Sequence, residues 1–173
     1  MLDSFFAKNP NLKYIQGFHD VASIFLVLFG NSTGYYMMEK AGKTYFRDFL
    51  TKDIGELNIL ISDLIFELLS HKDPELETIL ESFKDMKQLT FIVPWVLTWF
   101  SHVFSSVKTI CRIWDYLLCT GPHGVVYLTT GILLATKEEL KVQCPDHDVA
   151  PASLSTHTFT SSTRKLANKT PLT

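Results

Sequence analysis

Helix start and stop signals punctuate this chain from Gly17 to Lys141, and no convincing run of alternating polar and apolar residues interrupts them. Asp73-Pro74-Glu75 is the plainest start. The aspartate can accept from the first free N–H groups, the proline has no N–H to leave unpaired, and the glutamate answers the positive end of the helix dipole. Asp53-Ile54-Gly55-Glu56 has the form of a capping box, and Ser105 or Ser106 can cap a later helix. Gly30-Asn31 and Gly121-Pro122 read as stops. Between these marks apolar residues recur at steps of three and four, the period of a helix.

The pattern predicts helices over residues 17–29, from Ser32 or Thr33 to about residue 50, from Asp53 onward, and from Asp73 to about residue 85. In the third the apolar stripe is Leu57, Ile61, Leu64, Ile65 and Leu68, with Glu56, Asp63 and Glu67 on the wet side. In the fourth it is Leu76, Ile79, Leu80 and Phe83, with Glu75, Glu77 and Glu81 as a solvated face. A fifth helix is expected over 89–104, with Pro94 kinking it or marking its true first turn. A sixth covers 107–119 and a seventh about 125–141. No heptad is sustained, so the fold class is all-α: an irregular assembly of about seven helices, not a regular bundle.

Composition narrows the function. Of 173 residues, 46% are hydrophobic, 20% charged and 13% aromatic, a globular balance in a chain long enough for a real core. Net charge is −2 and only Arg47, Arg112 and Arg164 are arginines, which excludes nucleic acid as the main partner because phosphate binding needs a clustered basic surface. Cys111, Cys119 and Cys144 match no disulfide or metal-ligand spacing, so no metal is expected and a reduced compartment is. Cys111 and Cys119 are expected to face inward on one helix. Residues 88–107 form the longest uncharged stretch, close to the ~20 residues of a membrane span. Gln88, Pro94, Thr98, Ser101 and His102 make it polar for one, and a core helix is the better reading.

One string stands apart: Tyr14-Ile15-Gln16-Gly17-Phe18-His19-Asp20, followed by an apolar run. A neutral amide beside a glycine at a helix entrance can orient a water without acting as a strong base. His19 and Asp20 are adjacent, so on a helix their side chains diverge by about 100°, and a packing or capping role is expected over a catalytic dyad. His102 lies among Trp99, Phe100, Val103 and Phe104 and is expected to be a core or boundary histidine, and His123 an exposed turn residue. Two further strings follow: Trp95-Val96-Leu97-Thr98-Trp99-Phe100, and Arg112-Ile113-Trp114-Asp115 before Gly121.

Tyr14-x-Gln16-Gly17 resembles the glutamine-finger motif of TBC-domain Rab GTPase-activating proteins. The Trp/Phe-rich string and Arg112-x-Trp114-Asp115 resemble the later signature of that family, and Asn9-Pro10 its usual lead-in. The resemblance covers about residues 1 to 143, and Phe18-His19-Asp20 is most similar to the endoplasmic-reticulum-associated branch. It implies an all-α TBC domain that acts on a Rab-family small GTPase in vesicle traffic. Gln16 would orient the attacking water, with Tyr14, Gly17 and Asp20 supporting it. Trp99, Arg112, Trp114 and Asp115 would be structural, an Arg–Asp bond fixing helix ends. No cofactor of its own is implied, since GTP and Mg are bound by the partner GTPase. The implied location is the cytoplasm, at the cytosolic face of ER or Golgi membranes, with membrane association indirect at most and no anchor in this chain.

The family's arginine motif, Ile-x-x-Asp-x-x-Arg, is expected a few dozen residues before the glutamine. Here fifteen residues precede Gln16 and none is arginine. The expectation is a partial TBC domain over residues 1–144, lacking the arginine-finger half and weak or inactive as it stands. The rival is a non-catalytic module that binds a Rab or another trafficking protein, and an integral membrane fragment built on 88–107 comes third. Residues 145–173, with ten Ser or Thr and three Pro, read as a disordered tail that cannot offset its ordering entropy by burial.

Overall fold

The computed structural model describes residues 1–82 and 89–143. Among them there are nine α-helices, one 3-10 helix and no strand, which is the all-α class the sequence predicts. The expected tail and the end of the Asp73 helix at Phe83 and Asp85 lie outside the described residues. The helices are α1 Leu2–Lys8, α2 Phe18–Lys43, α3 Arg47–Thr51, α4 Ile54–Lys72, α5 Pro74–Ser82, α6 Val93–Leu97, α7 Val107–Thr120, α8 Gly124–Ala135 and α9 Lys137–Gln143, with the 3-10 helix at Thr90–Ile92. They fall into two compact units, each built from two stretches of the described chain: residues 1–57 with 94–122, and residues from 58 to 93 with those from 123 to 143.

An aromatic ladder runs through the first unit. Phe5 meets Phe18 at 5.9 Å between ring centres, and Phe18 meets Phe46 at 5.8 Å. Phe46 meets Trp99 at 4.7 Å, Trp99 meets Trp114 at 6.2 Å, and Trp114 meets Phe25 at 5.0 Å. Offset and edge-on ring pairs at such separations add to the stabilisation that burial already gives. Gly30, at φ 72 and ψ −173, breaks α2 where the sequence placed a stop. By length and composition α2 is the single candidate membrane span among the described residues, but the break divides it into stretches shorter than the ~20 residues a span needs. Beyond Gly30 helix persists to Lys43 and not to residue 50, and a separate short α3 follows.

Local caps form where predicted. Asp53 Oδ1 accepts from the N–H groups of Gly55 (2.8 Å) and Glu56 (3.2 Å) at the start of α4. Asp73 Oδ1 accepts from Leu76 N–H at 3.1 Å, and Ser106 Oγ from Thr109 N–H at 3.3 Å.

Four expectations need correction. The stretch 89–104 is not one helix: after α6 the chain turns through Trp99 (φ 47) and Phe100 (φ 65). The expected seventh helix is two, divided at Thr136, whose hydroxyl donates to Ile132 O (2.9 Å) and lies 3.1 Å from Leu133 O. In α4 Leu57 and Ile65 are buried as expected, but Leu64 is exposed, and Asn58, Ser62 and Leu69 complete the buried line. Cys119 is exposed and Cys111 half-buried, so the pair does not face inward together.

In the second unit Glu75 is not merely solvated. Lys137 Nζ lies 2.7 Å from both Asp73 Oδ2 and Glu75 Oε2, and Lys141 Nζ 2.7 Å from Glu75 Oε1. The Lys137 hydrogen bond, aided by the Leu76 N–H, holds the Asp73 carboxyl below its ordinary range. Lys137 and then Lys141 do the same to Glu75. In return Asp73, then Glu75, raise Lys137 above the usual lysine value.

The depressed carboxylates contribute stability that is complete above their unfolded values near pH 4 and lost as pH falls through the lower folded ones. The raised ammonium contributes stability that is complete below about pH 10 and lost as pH rises through its folded value. Lys137→Met is therefore expected to lower stability at neutral pH and to flatten both the acid and alkaline limbs of the pH–stability curve. Urea unfolding midpoints at several pH values will check it; a purely vertical shift of the curve would contradict it.

Candidate functional site

The turn that carries Gln16 is closed by a hydrogen bond from Phe18 N–H to Ile15 O at 3.2 Å. Its third residue, Gly17, has φ 98 and ψ −20, near the left-handed geometry that a type II turn requires there and that glycine adopts without cost. A Cβ on Gly17 would stand 2.8 Å from Thr98 Cγ2, so the glycine also lets a second segment approach closely. Ile15, Gly17 and Phe18 are buried and anchor the turn, and Gln16 between them is exposed. Among the described residues the Gln16 amide makes no side-chain hydrogen bond, so it is available to an external group. Asp20 N–H bonds to Gly17 O at 2.9 Å and starts α2 immediately behind.

Tyr14 is exposed, its ring edge-on to Phe6 at 5.9 Å and its hydroxyl 3.0 Å from His19 Nδ1. Asp20 is the junction: its Oδ2 lies 2.8 Å from His102 Nδ1 and its Oδ1 3.6 Å from His19 Nε2. His102 is thus not a core histidine; its side chain is 58% exposed and tied to a carboxylate 82 positions earlier. His123 is exposed, as expected.

The aromatic ladder brings the three sequence strings into one unit. Trp99 and Trp114 are buried, and Trp114 Nε1–H donates to Trp99 O at 3.0 Å. Arg112 and Asp115 are both exposed, 3.5 Å apart within α7, and so brace the helix surface without fixing either end. Exposed pairs of this kind contribute about 0–1 kcal/mol. Thr98 and His102 are the residues that sequence reasoning did not attach to the glutamine, because only tertiary contact links them to it. No group of three or more His, Cys, Asp or Glu side chains among the described residues could hold a metal ion.

With that geometry in view, the chain belongs to the Rab-GTPase-TBC domain family, which residues 1–141 match. Its helical fold is that of a TBC domain. It is 28% identical over 133 residues to TBC1 domain family member 20 of Homo sapiens, covering 77% of this chain and 32% of that protein. It is 30% identical over 141 residues to GTPase-activating protein gyp10 of Schizosaccharomyces pombe, covering 81% of this chain and 37% of that protein. It is 31% identical over 142 residues to a human TBC domain-containing protein kinase-like protein, of which it covers 16%. The chain therefore spans about a third of the length of the first two relatives.

Proposed function

We propose that this chain is part of a GTPase-activating protein for a Rab-family small GTPase in vesicle traffic, with Gln16 as the side chain that orients the attacking water. The observation that carries the reading is the exposed amide of Gln16 held on a rigid, glycine-dependent turn at the entrance of α2. The relationship to a protein named as a GTPase activator supports it. Phosphoryl transfer from GTP needs an aligned water and neutralisation of charge on the phosphates. A carboxamide can do the first, donating to and accepting from water without changing protonation. The partner brings the GTP and its Mg. An arginine finger does the second in reactions of this kind. The activity belongs at the cytosolic face of ER or Golgi membranes.

Single-turnover hydrolysis by a panel of GTP-loaded Rab proteins tests the reading. The chain is expected to accelerate at least one Rab by about tenfold, far below the 10³–10⁵ that an arginine finger adds. Gln16→Ala is expected to return the rate to the intrinsic value while binding persists. Binding without acceleration, both by this chain and by a version extended upstream to carry the family's arginine motif, would assign the non-catalytic module instead. Equal acceleration by Gln16→Ala would remove the glutamine from the mechanism.

A further inference from the structure

The turn that presents Gln16 is backed by a segment some eighty residues later. Trp99 and Phe100 sit consecutively in the left-handed region, at φ 47 and 65, where a bulky side chain is strained. The strain is held in place by Phe100 N–H to Trp95 O at 2.8 Å, Ser101 Oγ–H to Thr98 O at 2.7 Å and His102 N–H to Thr98 Oγ1 at 3.2 Å. Its result is that the Thr98 methyl meets Gly17 and the His102 ring meets Asp20. Strained backbone persists where surrounding structure over-determines it, and commonly where a site must be pre-organised.

We propose that His102, gripping Asp20 from the strained turn 98–102, is a positioning residue that holds the Gln16 turn in register for a bound GTPase. The inference rests on the reading of Gln16 as the water-orienting amide and adds what keeps that amide in place. An ionised carboxylate only accepts, so His102 Nδ1 carries the proton and donates to Asp20 Oδ2. The Tyr14 hydroxyl lies 3.0 Å from His19 Nδ1, while His19 Nε2 stands 3.6 Å from Asp20 Oδ1, beyond hydrogen-bond distance. The Asp20–His102 bond and the Tyr14–His19 contact thus flank Gln16 on both sides in sequence. His102 touches neither water nor nucleotide in this scheme; it acts through Asp20 and the first turn of α2.

His102→Ala and His102→Asn in the full 173-residue chain test this, because the asparagine amide can place an N–H where Nδ1–H was. Amide hydrogen exchange of Phe18 and Asp20, followed by NMR on the chain alone, reads the turn directly. His102→Ala is expected to speed it by about tenfold, in line with loss of a hydrogen bond to a charged group, and His102→Asn to restore it. The global unfolding midpoint is expected to fall by no more than the loss of that single hydrogen bond accounts for, and His102→Asn to recover it.

On the Rab that responds, His102→Ala is expected to lower the maximal hydrolysis rate about fivefold with the half-saturating concentration unchanged. Added to Gln16→Ala, it is expected to do nothing further, since both remove one function. Unchanged exchange in His102→Ala, failure of asparagine to restore it, or faster exchange with an unchanged rate would each overturn the proposal. If no Rab responds to the unsubstituted chain, the functional reading fails separately, and the exchange measurement still decides whether His102 holds the turn.

Discussion

Gly17→Ala is expected to destabilise the chain by about 2–5 kcal/mol, the sum of two costs with different origins. The first is conformational: at φ 98 an L side chain is placed against its own carbonyl, which costs about 1–2 kcal/mol. The second is steric: the new methyl would stand 2.8 Å from Thr98 Cγ2, well inside contact distance. Thr98 cannot swing away freely. It is buried, and its hydroxyl is tied to Pro94 O at 2.6 Å. Forcing a methyl into such a place costs about 1–3 kcal/mol.

The two costs separate experimentally. Thr98→Ser removes the offending methyl and keeps the hydroxyl, so Gly17→Ala with Thr98→Ser should recover the steric part and leave the conformational one. Urea unfolding of the two single variants and the double variant gives the coupling. Additive effects would mean that the contact relaxes in some other way, and a loss below about 1 kcal/mol would contradict the left-handed turn itself.

What was legible in the sequence was what local chemistry decides. Asp53, Asp73 and Ser106 cap helices because their oxygens reach N–H groups two or three residues on, a contact independent of the rest of the chain. Gly30 interrupts α2 for an equally local reason. Where packing overrode local preference, the sequence misled. The stretch 89–104 has helical periodicity, yet Trp99 and Phe100 leave the helical region because their rings and backbone are claimed by α7 and α6: Trp114 bonds Trp99 O, and Phe100 N–H bonds Trp95 O. In α4 the stripe was right at Leu57 and Ile65, but Asn58 and Ser62 are buried with partners of their own and apolar Leu64 is left outside.

The glutamine turn was legible as a motif, but its support was not. His102 and Asp20 are 82 residues apart, and Lys137 and Asp73 are 64 apart; spacing on that scale carries no signal in a single sequence.

The second large effect is expected at Trp114. Truncation to alanine should cost about 3–5 kcal/mol, because a buried indole is replaced by a cavity that its neighbours fill only in part. The ring is 5% exposed and touches Phe25 and Trp99, so α2, α7 and the turn after α6 all lose a packing partner at once. Trp114→Phe separates packing from hydrogen bonding. Phenylalanine keeps much of the apolar area but has no N–H, and Trp99 O then loses the donor it has at 3.0 Å. A carbonyl left unpaired in a buried place costs about 1–3 kcal/mol, so Phe should fall between wild type and Ala.

Equal losses for Phe and Ala would mean that the indole N–H matters and its bulk does not; no loss for Phe would mean the reverse. Arg112→Ala and Asp115→Ala, on the exposed face of the same helix, should stay within about 0.5 kcal/mol. That contrast follows from where α7 turns its sides: of the motif's three side chains, only the indole faces inward, and its donor reaches the backbone of the strained turn that lies behind Gly17.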